Sequence, residues 1–242
     1  MDQQNEILSP DCTVSVIIPA LNEADNISRC VQAARGAYSP EQVEVIVVDG
    51  GSTDATLQHI PPDVTIIQTS AGRAHQMNAG AKTSSGEVLV FCHADTRLSG
   101  GWREKVIAAL NQPGVSGGAF QTRLEPETGI MKWMNKVWLP ADWRYIYGDQ
   151  VMFLRRSTFE TVGGFPEIVL MEDVEMARSI AKIGKTIRVR GEVYTDSRRM
   201  IENGVLRQLL GNIWRMIRYL YLGATPDQIA GTYHSSREAS HE

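Results

Sequence analysis

The sequence predicts an α/β protein: a parallel half, mixed strands after it, and a C-terminal amphipathic helix. Three observations lead there. Short β-branched apolar runs alternate with segments able to form helices, which implies right-handed crossovers and a parallel sheet. Beyond residue 97 that alternation gives way to strand-like and helix-like segments in a different order. The polar residues of the first half gather where its strands end, the edge at which ligands bind in sheets of this kind.

Taken in order, VSVII (14–18), VEVIVV (43–48), VTII (64–67) and VLVF (88–91) are mostly continuous in apolar character, as strands covered on both faces are. Between them ADNISRCVQAAR (24–35) and RAHQMNAGAKTS (73–84) predict helices, with a short turn from Asp54 to His59. WREKVIAALNQ (102–112) reads as a helix, GGAFQTRL (117–124) alternates like an antiparallel strand, and VMFLRR (151–156) supplies another. VEMARSIAKIG (174–184) is a helix stopped by Gly184, and KTIRVRG (185–191) is a final short strand.

A chain of 242 residues with 43% hydrophobic residues can bury one sizeable core. One domain is expected over 1–242, with halves at 13–97 and 98–200 and a helical tail at 201–242. The net charge of −4 gives no general attraction to nucleic acid, so an anionic ligand must be held by local groups. Cys12, Cys30 and Cys92 are odd in number and widely spaced, which favours buried thiols over a disulfide framework. The start, MDQQNEILSP, lacks the basic and apolar stretches of a secretion signal, and no run of 18 uncharged apolar residues offers a membrane span. The expected location is the cytoplasm.

The strand ends read PALNE (19–23), DGGSTD (49–54) and HADT (93–96), and all three carry carboxylates. Asp49 precedes two glycines, so its carboxylate can face a ligand that the backbone approaches closely, or it can simply form the turn. Ser52 and Asp54 read as caps of the turn that follows. Arg73 follows Gly72 at a helix start, where backbone N–H groups and a guanidinium both attract a phosphate oxygen. His93 and Asp95 stand where a buried strand stops.

The segments VSVIIPALNE, VIVVDGGSTD, GRAHQMNAGA, VFCHADT, GGF and LMED, in this order, resemble the family 2 glycosyltransferases, enzymes of the GT-A fold that use nucleotide-activated sugars. HADT, YGDQ (147–150) and the basic C-terminal helix resemble a compact bacterial subgroup. The resemblance runs over roughly residues 13 to 190. It implies a GT-A-type, Rossmann-like nucleotide-binding half with a mixed central sheet flanked by helices. It also implies an inverting, non-processive transfer from a nucleoside-diphosphate sugar, since the Q-x-x-R-W sequence and spans of processive synthases are missing.

By the same resemblance Asp49 contacts the base or ribose of the nucleotide, although Gly50 stands where the family often has a second acid. Pro19, Ala20, Asn22 and Glu23 form the first nucleotide loop, with Glu23 the favoured ligand contact and Asn22 equally a helix cap. HADT corresponds to the D-x-D motif, whose last acid binds a divalent cation, Mn²⁺ or Mg²⁺. Asp95 keeps that role beside Ala94, while His93 replaces the first acid and either ligates the metal or hydrogen-bonds ribose or phosphate. Asp173 matches the base that deprotonates the acceptor, with helix N-cap as the alternative, and Glu172 either tunes it or binds acceptor.

Asp149 and Gln150 are expected on the acceptor side. Trp133, Trp138 and Trp143 are expected to pack in the core or an interface. In VLRQLLGNIWRMIRYLYLG (205–223) polar residues recur at helical spacing, and such a helix packs on the domain, forms a homodimer or lies on the inner face of a membrane. Packing is the favoured reading. Arg198 and Arg199 lie close by, suited to phosphates of donor or lipid, and the acceptor is left as lipid-linked or a small molecule. Two other classes stay open: a sugar nucleotidyltransferase, which PALNEADN disfavours by lacking a glycine-rich phosphate loop, and a nucleotide-sugar binding protein without turnover, suggested by Gly50 and His93. A dinucleotide dehydrogenase lacks its G-x-G-x-x-G turn.

Overall fold

The computed structural model describes residues 7–137, 142, 144, 146 and 150–230. Its first half follows the predicted alternation: β1 (Val14–Ala20), α1 (Ile27–Arg35), β2 (Val43–Asp49), a 3-10 turn (Leu57–His59), β3 (Thr65–Gln68), α2 (Arg73–Thr83) and β4 (Val88–Phe91). The second half adds β5 (Thr96–Leu98), α3 (Trp102–Leu110), β6 (Val115–Glu125), α4 (Met131–Met134), β7 (Met152–Arg155), α5 (Arg156–Val162), α6 (Glu172–Ile183), β8 (Lys185–Asp196), α7 (Arg198–Glu202) and α8 (Val205–Tyr221).

The strands form one eight-stranded sheet in the order β3-β2-β1-β4-β7-β6-β8-β5. β1 to β4 are parallel, and β7 then enters antiparallel to both β4 and β6. Val16, Ile18, Val45 and Val47 face one apolar layer with α1 and α3. Ile17, Ile46 and Val48 face the other, with α2 and α6. Alternation along β1 and β2 thus fills both layers, which is why these runs carry no polar face.

Four expectations are corrected. VTII is not covered on both faces: β3 is the sheet edge, bonded to β2 alone, and Ile66 is 42% exposed. GGAFQTRL does not alternate between core and solvent, because Val115 to Phe120 are all buried, and β6 runs antiparallel to β7 but parallel to β8. KTIRVRG begins not a short strand but the 12-residue β8, which pairs with β6 along almost its whole length. α1 begins at Ile27 rather than Ala24, because residues 22 to 26 are held in the loops of the site.

Gly184 does end α6, though for a steric reason. Its φ of −170° is open to any residue, but a Cβ there would lie 2.1 Å from Ser116 Oγ and 2.7 Å from the Gly114 carbonyl. All three cysteines are buried, unbonded thiols, as expected, with Cys30 and Cys92 sulfurs 4.0 Å apart. Trp133 is 65% exposed and so fills no core. Trp138 and Trp143 lie outside the described residues.

Candidate active site

The ends of β1 and β2 are in register, Ala20 opposite Asp49, so the two loops that follow leave the sheet side by side. They are stitched together. The Asn22 N–H donates to Ser52 Oγ at 2.9 Å, and Asn22 Oδ1 accepts from the Thr53 N–H at 2.9 Å. Glu23 donates its N–H to Thr56 Oγ1 at 2.8 Å, and its carboxylate accepts from Asn26 Nδ2 at 2.9 Å. Asn22 is therefore not the helix cap; it has a left-handed backbone, φ 55°, and joins the loops. Asp54 accepts from the N–H of Thr56 and of Ala24, and the Thr56 hydroxyl holds its carboxyl below the usual range. Ser52 and Asp54 thus tie the two loops together rather than cap the 3-10 turn, whose N-cap is Thr56 and which has no side-chain cap.

Asp49 is fully buried, and its carboxylate accepts from the N–H groups of Gly51 and Ser52 at 3.1 Å. The turn-forming role is present at this position. Pro19 and Ala20 are buried strand residues rather than loop residues. Behind them sequence reasoning missed Gln76, 4% exposed on α2, whose amide donates to the carbonyls of Ala20 at 2.9 Å and Val48 at 2.8 Å. A Cβ at Gly50 would lie 3.0 Å from that amide nitrogen, so a second acid here requires the Gln76 side chain to give way by a few tenths of an ångström. The signal was a glutamine on the face that also carries Met77 and Ala81.

A second group forms where α2 meets α6. Arg73 Nε lies 3.2 Å from Glu172 Oε1, and Glu172 is 2% exposed. The approach is an ion pair without hydrogen-bond alignment, and Oε1 accepts no hydrogen bond. Burial raises the Glu172 carboxyl above its ordinary range, with Arg73 opposing and Asp173 adding to the shift. Asp173 is not the N-cap. That position belongs to Met171, which has φ 73°, and Asp173 is the second residue of α6, its Oδ1 accepting from the Val174 N–H at 2.7 Å. Among the described residues Asn22 and Met171 are the non-glycine residues with left-handed backbone, and each borders a candidate site loop.

His93 stands two residues past the end of β4, within reach of the charge of Arg73. Burial, then the positive charge of Arg73, pushes its pKa down to about 3, so the imidazole is neutral and has a nitrogen lone pair to offer. A histidine depressed in the folded state contributes stability above the unfolded pKa of about 6.5 that is lost as pH falls toward 3. Glu172, raised by folding, acts in the opposite sense: its contribution is lost as pH rises. Urea midpoints at about pH 7 and pH 5 should therefore fall further in the wild type than in His93→Asn. Equal falls would show that His93 is not depressed.

Asp95 faces a third group. A cleft of about 340 Å³ is lined by Ala94, Asp95, Arg29, Arg97, Glu125, Asp196 and Arg198, together with Asn26 and Pro126. β8 reaches the cleft paired with β5, and the Asp196 N–H donates to the Asp95 carbonyl at 3.1 Å. Arg198 donates to Asp196 at 2.7 Å and to Asn26 at 3.3 Å, while Arg97 pairs with Glu125. The structure thus brings Arg198 to Asp95. Arg29, Arg97, Glu125 and Asp196 went unnoticed in the sequence because they belong to four different elements. Arg199 is the second residue of α7. Gln150 is 5% exposed and accepts from Arg188 at 2.7 Å, away from the cleft lining, and Asp149 lies outside the described residues.

Comparison with known families finds a match between residues 15–163 and the family described as "Glycosyl transferase family 2". The chain belongs to that family. Among curated relatives of this family 2 chain, glycosyltransferase AglE of Haloferax volcanii is 27% identical over 202 residues, 74% of this chain and 65% of its own length. The probable glycosyltransferase YdaM of Bacillus subtilis is 26% identical, over 72% of this chain and 48% of its own. The chain thus spans less than two thirds of either relative.

Solved structures share the fold. S. aureus TarS 1-349 superposes with a TM-score of 0.64 at 18% identity, covering 85% of this chain and 65% of that one. The mannosyltransferase PcManGT from Pyrobaculum calidifontis, in complex with GDP-Man and Mn²⁺, gives 0.60 at 20% identity, covering 95% and 75%. The fold is the GT-A-type, Rossmann-like α/β arrangement with a mixed central sheet.

Proposed function

We propose that this family 2 chain moves a sugar from a nucleoside-diphosphate sugar to an acceptor hydroxyl in one in-line displacement, with inversion and one transfer per encounter. The observation that carries the reading is the place of His93: it feels the charge of Arg73, which lies 3.2 Å from Glu172, and it stands two residues before Asp95 of the cleft. Two regions of work follow, with 13–97 holding the donor and 98–200 the acceptor and base. The structural neighbour PcManGT, seen with GDP-Man and Mn²⁺, and TarS, seen with UDP-GlcNAc, support a donor of this class. The H-A-D-T form of the motif is read as the subgroup's counterpart of D-x-D.

Among the described residues no three of His, Cys, Asp or Glu come together as a complete metal site. A cation on a diphosphate needs only one or two protein ligands, the rest being phosphate and water oxygens. Asp95, with the neutral His93 imidazole, fits that requirement, better for Mn²⁺ than for Mg²⁺. When bound, such a cation supplies charge neutralisation for the departing diphosphate. The protein's part is distinct. Arg73 offers a guanidinium at the N-terminus of α2, where backbone N–H groups also favour an anion. Asp173 takes the proton from the acceptor hydroxyl as it attacks, and no covalent sugar–enzyme intermediate is required. Glu172, by its position and its contact with Arg73, couples the donor and acceptor sides. Asp49, Asn22 and Glu23 shape the pocket for base and ribose.

The test is a thermal-shift screen against UDP, GDP and their sugar conjugates, each with Mn²⁺, Mg²⁺ or EDTA. Binding stabilises the native state, by about 2.7 kcal/mol when ligand is at 100 times its Kd, and so raises the midpoint. Stabilisation by one nucleotide that EDTA removes is expected. Asp95→Asn should lose most of it, with wild-type and variant midpoints equal in EDTA. An Asp95→Asn response to nucleotide and metal equal to the wild type would remove Asp95 from the donor site. Binding without transfer or donor hydrolysis would favour the non-catalytic reading.

A further inference from the structure

α8 has a broad apolar surface, only part of it packed. Met216, Tyr219 and Leu220 pack on Met171, Val174 and Ile229, and the Tyr219 hydroxyl donates to Glu175 at 2.7 Å. Adjoining this contact, Leu206, Leu210, Ile213, Trp214, Ile217 and Tyr221 recur at helical spacing, and each is between 38% and 69% exposed. The packing expected of this helix therefore accounts for only part of its apolar surface. A contiguous stripe of six large apolar side chains marks an interaction surface.

Charge chooses the occupant. Residues 205 to 221 include Arg207, Arg215 and Arg218 and no Asp or Glu, in a chain whose formal net charge is −4. At 100° per residue Arg207 and Arg218 run along one border of the stripe. An antiparallel second copy laid on this face would bring two rows of guanidinium groups together, whereas an anionic surface would be met by both the stripe and its border. Trp214 and Tyr221 are amphipathic rings of the kind that settle at headgroup level. No helix among the described residues is long and apolar enough to cross a membrane, so α8 would lie in the interface.

We propose that α8 seats the protein on an anionic lipid bilayer, with the Leu206–Tyr221 stripe among the acyl chains and the arginines at the headgroups. α7, whose Arg198 lines the Asp95 cleft, leads into α8 through residues 203 and 204, so docking here sets that cleft close to the lipid surface. The docking does not depend on the transfer reaction proposed above.

Sedimentation of the full chain with vesicles of phosphatidylcholine, with and without phosphatidylglycerol, tests it. The chain is expected to pellet with the anionic vesicles and to remain in solution with the neutral ones. Arg207→Gln combined with Arg218→Gln should lower partitioning onto anionic vesicles roughly 30-fold. Trp214→Glu should abolish it, and unchanged thermal midpoints of these surface variants keep the result from being a folding defect. No binding to either vesicle, or equal binding by the wild type and the double arginine variant, overturns the proposal. So does a dimer in sedimentation equilibrium that Trp214→Glu dissociates while vesicles leave the chain in solution, which gives the stripe to a second copy. Docking by a chain that no nucleotide stabilises would uphold this proposal and count against the transfer reading.

Discussion

Asp173→Asn is expected to lower kcat by roughly 10² to 10⁴-fold, the range that a positioned general base contributes, while leaving donor affinity unchanged. The substitution is nearly isosteric. Its amide oxygen can still accept from the Val174 N–H, which Asp173 Oδ1 meets at 2.7 Å, so the first turn of α6 keeps its support. What goes is the capacity to take a proton. Transfer rates measured with saturating donor, beside nucleotide binding by calorimetry, separate the two effects. Transfer at the wild-type rate would show that another group is the base, with Glu172 the next to test. A matching loss of donor binding would instead place Asp173 on the donor side, where it touches the same charge cluster through Glu172.

The largest effect on stability is expected far from that chemistry. Gly118 lies in β6 between β7 and β8, and a Cβ there would sit 2.2 Å from the Ile187 carbonyl oxygen, 2.8 Å from Ile187 Cγ2 and 2.9 Å from Phe153 Cζ. The nearest obstacle is backbone, which cannot rotate aside as a flexible side chain could. Gly118→Ala should therefore cost about 3 kcal/mol, near the top of the usual overpacking range, and lower the melting temperature by roughly 6 to 12 °C. Calorimetric unfolding of the variant checks this. The pair β6–β8 also carries the far end of β8, where Asp196 meets Asp95, so strain at Gly118 should loosen the cleft. A variant as stable as the wild type would mean that the two strands are not packed at that distance.

How far the sequence was readable depended on how local each signal was. VLVF is legible as a strand to the residue, since an unbroken apolar run between Glu87 and His93 leaves few alternatives. α2 and α6 were placed nearly as well, each with an identifiable start or stop. β8 was cut short at Gly191 because a glycine inside a strand looks like an end. In the structure that glycine is needed where a Cβ would come within 2.8 Å of Phe120, a contact made by a residue 71 positions away. β3 was misjudged for the same kind of reason. Nothing in VTII says that it has one neighbour rather than two.

The site divides along the same line. Strand-end carboxylates, the HADT turn and the acidic start of α6 were visible because each is a short contiguous run. By itself the sequence determined the parallel α/β half, the edge at which its polar residues gather and the family to which its motifs belong. These follow from periodicities of two and 3.6 residues and from turn chemistry, which act over a few positions. Only the tertiary structure decided that Arg73 faces Glu172, that Gln76 occupies the space beside Gly50, that Arg198 and Asp196 join Asp95 in one cleft, and that α8 leaves an apolar stripe uncovered. Each of those is a meeting of residues distant in the chain, set by strand order and helix packing rather than by any local preference.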